Sequence, residues 1–449
     1  MGDLANIVKA YDIRGVVPDQ LDEGVAEAIG AAFVKVTGAK QIVTVHDMRT
    51  SSTPLAEAFG RGAASQGADV LAGGLGSTDM VYYASGDLDI PGAMVTASHN
   101  PPQYNGIKLC RAGAKPVGIE TGLKEIQKLA EQHVDPAPQP GTVTPVDLLQ
   151  GYADHLRKLV DISGIRPLTV AVDAGNGMAG YTVPKVFEGL PLTVIPLYFE
   201  LDGTFPNHEA NPIDPENLRD LQAAVREHGA DLGLAFDGDA DRCFVVDERG
   251  EIVSPSVLTA LIATRELARE PGATIIHNLI TSRAVAEIVT EHGGKPVRTR
   301  VGHSFIKAKM AETGAIFGGE HSGHFYFRDF WFADSGMLAA LHVLAALGGQ
   351  TRPLSHLLAE YSRYYASGEI NSTVSDQVAS TARVETEFLG RPGVTTDELD
   401  GLTVSAADWW FNIRPSNTEP LLRLNVEADT EEQMAAIRDE VLGIVRGES

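Results

Sequence analysis

Cysteine is scarce in this chain. Cys110 and Cys243 lie far apart and outside any CxxC pair, which excludes a disulfide framework, argues against a thiolate zinc site and fits a reducing cytoplasm. Long apolar runs are absent as well: none approaches the ~20 residues that a membrane helix needs, so no membrane partner is expected. The opening stretch MGDLANIVKAYDIRG carries charge throughout and has no apolar core leading to a small-residue cleavage site. Export is therefore not expected. Positive charge is short too, with 36 Lys and Arg against 60 Asp and Glu and a net charge of -24. Nucleic acids and anionic membranes need clustered cations, so neither is an expected partner. Any anionic ligand must find its cations at short range.

What is present is an ordinary globular composition, 43% hydrophobic and 21% charged over 449 residues, long enough for two to four domains. One pattern recurs three times: an apolar strand, a polar turn, an amphipathic helix, then Gly and another apolar strand. The copies span residues 41–74, 168–197 and 274–303. Near-continuous apolar strands alternating with helices imply helix-covered, largely parallel sheets. One large doubly wound sheet would show the same periodicity, so the boundaries decide. Residues 133–147, HVDPAPQPGTVTPVD, are rich in Pro and aperiodic and read as a linker. ASGEINS, near residues 366–372, breaks a helical stretch. Beyond it come strand-like WWFNI, alternating Leu422, Leu424 and Val426, and a helix from about Thr430. Thr430 with Gln433 reads as a capping box, with Met434, Ile437, Val441 and Ile444 on the buried face. The expected fold is α/β in four domains: three related α/β domains with mixed sheets, at 1–140, 148–248 and 249–362, and a smaller α+β domain at 363–449.

Four motifs carry polar chemistry. The first, Thr96-Ala97-Ser98-His99-Asn100-Pro101-Pro102-Gln103-Tyr104-Asn105-Gly106, follows the apolar strand GAMV. Ser98 thus stands at a strand end, where α/β proteins build sites. Its prolines and Asn-Gly pair predict a rigid exposed loop suited to a covalent nucleophile. A polar turn in which Ser98 merely caps a helix is the commoner arrangement for such residues alone. The second motif shifts that balance. Asp237-Gly238-Asp239-Ala240-Asp241-Arg242 lies between the apolar strands DLGLAF and CFVV. Three carboxylates so close repel one another unless a cation sits between them. With no His or Cys interleaved, a hard ion such as Mg²⁺ is expected. An EF-hand loop needs Gly where Arg242 stands, and a solvated acidic turn fits poorly between two apolar strands.

The third motif, Gly318-Gly319-Glu320-His321-Ser322-Gly323-His324, offers Glu320 and Ser322 for sugar hydroxyls. Metal ligation by Glu320, His321 and His324 is a weaker reading, because an HExxH helix is lacking. The fourth, Arg414-Pro415-Ser416-Asn417-Thr418-Glu419-Pro420, with Arg423 close behind, offers hydroxyls, an amide and a guanidinium as a phosphate cradle. Taken alone, it is a generic turn.

In this order, one per domain, the motifs resemble the α-D-phosphohexomutase superfamily, closest to its bacterial phosphomannomutase/phosphoglucomutase group. The resemblance spans the chain, and TASHNP with DGDADR is its specific core. It implies four domains around a central cleft, the last one mobile. It further implies phosphorylation of Ser98, and Mg²⁺ held by Asp237, Asp239, Asp241 and a phosphoserine oxygen, with Arg242 nearby. Glu320 and Ser322 match contacts to the 3- and 4-hydroxyls, and Arg414, Ser416, Asn417 and Thr418 the loop on the second phosphate. Tyr11, Arg14, Lys108 and His303 match positions lining the cleft. Some relatives carry a lysine where this chain reads HNLITS, and glucosamine-preferring members usually have a different loop between SHNP and NG.

The implied reaction interconverts hexose 6- and 1-phosphates, of mannose and of glucose, through phosphoserine 98 and a hexose 1,6-bisphosphate that turns end for end. Phosphoglucosamine turnover and plain metal-dependent phosphatase activity are the alternatives. Recognition of only the 3- and 4-hydroxyls tolerates the turn. Arg14, Lys108, Arg242, Arg414 and Arg423, with Mg²⁺, would answer the charge condition, because a close pair is worth ~4 kcal/mol while distant charges are screened beyond ~8 Å. Lys108, His303 or His324 would serve as general acid or base. The expected partner is a small phosphosugar, and the default state a cytoplasmic monomer.

Overall fold

The computed structural model describes residues 4–132, 134–416 and 421–447, with only the backbone described at His303. By its internal contacts the chain divides into two compact units, Met1–Leu258 with Ser322–Leu357, and Thr259–His321 with Leu358–Ser449.

Each of the three sequence copies folds as a strand, a helix and a parallel partner strand. The first is Gln41–His46, Ser52–Ser65 and Asp69–Leu75; the second is Leu168–Asp173, Ala179–Val186 and Leu192–Leu197. Both lie in the first unit. The third, Thr274–Asn278, Arg283–Glu291 and Lys295–Thr299, lies in the second. The sheets are mixed because antiparallel strands are added at their edges. Tyr104–Arg111 pairs antiparallel with Gly92–Val95 on one side and with Ile13–Val16 on the other. Leu232–Phe236 runs parallel to Leu168–Asp173 and then hairpins into Cys243–Asp247. This hairpin turn is the carboxylate motif.

The aperiodic stretch read as a linker is partly structured: Val143–Pro145 pairs parallel with Asp69–Leu75. Proline is tolerated there because the strand is an edge, where a missing N–H breaks no ladder. Further along the first unit, the helix Gly336–Gly348 (GMLAALHVLAALG) is apolar on all sides and almost wholly buried, as such a composition requires.

The C-terminal region is a five-stranded antiparallel sheet covered by helices. Its strands run in the order Tyr365–Thr373, Leu421–Ala428, Trp409–Pro415, Leu402–Ser405 and Thr395–Asp397. Phe388, Phe411, Val404 and Val441 are fully buried in its core, each worth ~1.5–3 kcal/mol relative to exposure. ASGEINS, read as a break, is instead within the strand Tyr365–Thr373. Thr430 caps the last helix by accepting from Gln433 N at 3.2 Å. The reciprocal half of the expected box is missing, because the Gln433 amide donates to Asp408 at 2.6 Å. Val445, rather than Ile444, completes the buried face.

Candidate active site

In the first unit the serine loop and the carboxylate hairpin meet. Ser98 Oγ donates to Asp237 Oδ2 at 2.9 Å across 139 residues of sequence. Ser98 has φ 51, in the left-handed region, which costs an L-residue ~1–2 kcal/mol and persists only where surroundings enforce it. Its N–H donates to Thr96 Oγ1 at 2.9 Å. Its carbonyl packs on Gly238, where an added Cβ would stand 2.5 Å from it. Glycine therefore lets the two loops touch. The sequence predicts an exposed serine, but Ser98 is 2% exposed. The cover is polar, since Asp237 and His99, whose Nδ1 lies 3.2 Å from Oγ, both reach it.

The hairpin turn holds all three carboxylates at 1% exposure or less. One ligand oxygen from each lies within 4.8 Å of the others. Lys108, on the strand Tyr104–Arg111, reaches in with Nζ 2.7 Å from Asp239 Oδ2 and 2.6 Å from Asp241 Oδ2. Thr78 Oγ1 also donates to Asp239 Oδ2, at 2.5 Å. Arg242 N donates to Asp237 Oδ1 at 3.2 Å, and its Nε stands 3.4 Å from Asp237 Oδ2.

Charge balance at this turn follows from burial. Burial lowers the Lys108 ammonium, but Asp239 and Asp241 more than offset that and hold it above its ordinary range. Lys108 is thus a cation shared between two carboxylates. Burial also raises Asp241, yet Lys108, His324 and Arg242 outweigh it and leave that carboxyl well below the usual range. Asp237 is pushed well above it by burial and by the charges of Asp241 and Asp239. Two oxygens, Asp239 Oδ1 and Asp241 Oδ1, are buried with no hydrogen-bond partner among the described residues. Lys108 and Arg242 can balance two of the three carboxylates, and the rise at Asp237 marks a third negative charge that has no counter-ion of its own among the described residues. An all-oxygen set with unsatisfied buried acceptors fits a metal ion of the hard class.

Around this centre, Arg14 on the strand Ile13–Val16 donates to Asn100 Oδ1 at 2.6 Å and to Asp12 Oδ2 at 2.5 Å. Tyr11 is half-buried in the segment just before that strand. Arg242 Nη2 lies 3.0 Å from His99 Nδ1. That guanidinium, with burial, holds the His99 imidazole well below its usual range. Arg242 Nε donates to His324 Nε2 at 3.2 Å, and His324 Nδ1 lies 2.8 Å from Ser322 Oγ. His324 Nε2 also stands 3.6 Å from Asp241 Oδ1, so the ring bridges the carboxylate turn and Ser322.

In the second unit, Glu320 Oε1 accepts from Gly302 N at 3.1 Å and from Asn278 Nδ2 at 3.5 Å. His303 begins the helix His303–Thr313; its side chain is outside the described residues. Arg414 and Arg423 are cross-strand neighbours, and Glu369 lies between them. Glu369 accepts from Arg414 Nη2 and stands 3.3 Å from Arg423 Nη1. Arg414 Nη1 is buried with no acceptor among the described residues. Ser416 N donates to Leu421 O at 2.8 Å, while Asn417 and Thr418 fall outside the described residues.

Sequence reading passed over Thr78 and Arg49, and named His99 only as a neighbour of Ser98 in the serine loop. Thr78 opens the helix Thr78–Leu88 within the unremarkable run GSTDM, and nothing local marks it. Arg49 follows a strand end in HDMRTSS, a position that could have been read as site-facing.

A buried serine hydroxyl on a caged carboxylate trio, carried by strand–helix–strand units, sets a hydroxyl nucleophile beside a group of ligands able to hold a hard cation on an α/β scaffold. Four family models match in chain order: phosphoglucomutase/phosphomannomutase alpha/beta/alpha domain I over residues 5–135, domain II over 150–250, domain III over 254–364, and the C-terminal domain over 369–444. The chain is 42% identical over 453 residues to a phosphomannomutase of Escherichia coli, covering 98% of each. It is 40% identical over 446 residues to a phosphomannomutase/phosphoglucomutase of Pseudomonas aeruginosa, covering 97% of this chain and 94% of that protein. The crystal structure of a phosphoglucomutase/phosphomannomutase family protein from Burkholderia thailandensis superposes with a TM-score of 0.89 at 33% identity, covering 98% and 97% of the two chains. The chain belongs to the phosphoglucomutase/phosphomannomutase family and is an intramolecular phosphotransferase of the isomerase class. No helix among the described residues is long and apolar enough to cross a membrane.

Proposed function

We propose that this enzyme interconverts mannose 6-phosphate and mannose 1-phosphate, and accepts the glucose phosphates, by relaying a phosphoryl group through Ser98. The supporting observation is Ser98 Oγ at 2.9 Å from Asp237 Oδ2, within the buried carboxylate trio. The choice of sugar rests on the names of its relatives. Asp237, Asp239, Asp241 and an oxygen of phosphorylated Ser98 would hold Mg²⁺. When bound, the ion supplies neutralisation of charge on the transferring phosphoryl oxygens.

In the forward half-reaction the bond from Ser98 Oγ to phosphorus breaks as one from the free sugar hydroxyl forms; that hydroxyl gives up its proton and Ser98 Oγ takes one up, giving the hexose 1,6-bisphosphate and a free serine. In the return half, the other phosphate's ester bond breaks and Ser98 Oγ is phosphorylated again. The Ser98 proton then has an acceptor in place at Asp237 Oδ2, and the released sugar oxygen takes up a proton. Arg14, Lys108 and Arg242 supply fixed positive charge beside Ser98, which offsets the acidic surface over short distances. Arg414, Ser416, Asn417 and Thr418 would grip the non-transferring phosphate, with Glu320 and Ser322 on the sugar hydroxyls and Tyr11, Arg423 and His303 as further contacts. His324, whose Nδ1 lies 2.8 Å from Ser322 Oγ, would fix which way that hydroxyl points.

The test is purified enzyme with mannose 1-phosphate, Mg²⁺ and a trace of glucose 1,6-bisphosphate. Mannose 6-phosphate should form with the wild type and not with Ser98→Ala, whose melting temperature should match. Turnover by Ser98→Ala, or free phosphate in place of mannose 6-phosphate, would overturn the proposal.

A further inference from the structure

Arg49 lies between the strand Gln41–His46 and the helix Ser52–Ser65 and is 2% exposed. Its guanidinium donates to four main-chain carbonyls, three in the serine loop and one at the first residue of the strand that follows it. Nη1 reaches Pro101 O at 2.9 Å and Tyr104 O at 3.0 Å; Nη2 reaches Ser98 O at 2.9 Å and Asn100 O at 2.6 Å. Nε lies 3.2 Å from Asp47 Oδ2, an ion pair without hydrogen-bond geometry. Asp47, itself 1% exposed, accepts from Ser52 Oγ at 2.5 Å, Thr96 Oγ1 at 2.6 Å and Arg49 N at 3.0 Å. Thr96 Oγ1 in turn accepts the Ser98 N–H. The Phe205 ring covers the guanidinium at 5.0 Å, and a Cβ at Gly203 would come within 2.5 Å of Arg49 Cα.

Residues 98–103 form no strand or helix, so their carbonyls have no ladder to satisfy them. A planar fork with five fixed donors can gather four carbonyls at once; an ammonium, with three donors on one atom, cannot match that spread. The serine that needs a left-handed backbone is therefore held at its N–H through Asp47 and Thr96, and at its carbonyl by Arg49 directly.

We propose that Arg49 is a positioning residue for phosphoryl transfer: through the carbonyls of Ser98, Asn100, Pro101 and Tyr104 it sets where the Ser98 hydroxyl stands against Asp237. The inference rests on Ser98 being the phosphoryl carrier and adds a residue that touches neither substrate nor metal ligand side chain. A guanidinium serving only as a core pillar would support sugar binding, metal binding and chemistry alike. One that aims the nucleophile affects chemistry alone.

Arg49→Lys keeps a cation beside Asp47 and loses the fork. Four quantities separate the readings in the full-length enzyme: kcat and KM on mannose 1-phosphate, the rate at which glucose 1,6-bisphosphate phosphorylates dephosphorylated Ser98 (by intact mass), Mg²⁺ affinity by calorimetry, and melting temperature. Both kcat and the phosphorylation rate should fall about 100-fold, the cost of misplacing a reacting group by ~1 Å. KM should stay within about twofold of wild type, and so should the Mg²⁺ affinity of the dephosphorylated enzyme, because Arg49 bonds to none of the three carboxylates. The double variant Asp47→Asn/Arg49→Gln, which replaces the ion pair by a neutral one, should show the same selective loss. Wild-type rates in either variant would overturn the proposal. So would loss of fold, sugar binding, metal binding and turnover together, because that is the signature of a pillar. Normal turnover by Ser98→Ala would instead bring down the carrier reading; a dead Ser98→Ala beside a normal Arg49→Lys brings down only the role of Arg49.

Discussion

A methyl group at residue 238 should push the nucleophile away from its carboxylate. A Cβ built on Gly238 would lie 2.5 Å from Ser98 O and 3.4 Å from Ser98 C. Ordinary carbon–oxygen approach is ~3.3–3.6 Å, so the deficit is about 1 Å. The offending atom is main chain, and no side chain can swing aside to relieve it. Gly238 does not have a left-handed φ, so alanine fits its own backbone and the effect is purely one of contact. Moving the Ser98 loop by the full deficit would lengthen the 2.9 Å bond to Asp237 beyond hydrogen-bond range. A misplacement of that size costs about 100-fold in rate, or about 3 kcal/mol of transition-state stabilisation. The four bonds from Arg49 resist the shift, so part of the strain should appear as ~1–3 kcal/mol of lost stability. Steady-state turnover of mannose 1-phosphate and a denaturant melt would measure the two. Gly238→Ala with kcat within about threefold of wild type and an unchanged midpoint would refute close contact between the loops.

Asp239→Asn removes the negative charge that Lys108 and Thr78 share and replaces one carboxylate oxygen by an amide NH2. Calorimetric Mg²⁺ affinity should drop by at least the ~10–100-fold that outer-shell changes cost; an unchanged affinity would dismiss the carboxylate trio as a metal site. Arg414→Ala removes a charge-assisted donor worth ~1.5–3 kcal/mol, so KM for mannose 1-phosphate should rise about 10-fold or more. If kcat and KM both stay put, that turn lies outside the site. Asp79 accepts from Ser77, Tyr152 and Ser335 hydroxyls, yet burial lifts its pKa to about 7. A folded value above the unfolded one means that the contribution is complete below about pH 4 and is lost as pH rises through about 7, by on the order of 4 kcal/mol at most. Asp79→Asn should flatten the fall in unfolding free energy between pH 5 and pH 8. An equal pH slope in both proteins would assign the fall to other groups.

The three strand–helix–strand copies were legible because strand and helix periods are written in residues adjacent in sequence, and chain-local sterics enforce them. The carboxylate trio was legible for the same reason. Asp237, Asp239 and Asp241 share one hairpin turn, so their crowding exists before any other part of the chain arrives. The capping of the last helix was half legible: Thr430 bonds its own turn, whereas Gln433 is drawn to Asp408 from another turn. Val143–Pro145 was misread because an edge strand needs only one neighbour's ladder and leaves little apolar pattern of its own.

Tertiary structure alone decided which distant groups share the site. Ser98 meets Asp237 and Lys108 meets Asp239 across more than a hundred residues, and no local pattern encodes such a pairing. Residue types and turns were set by the chain's local chemistry. The burial of Ser98, the bridging of Arg242 and Ser322 by His324 and the grip of Arg49 on four carbonyls arise only after packing removes water and leaves each polar group to find a protein partner.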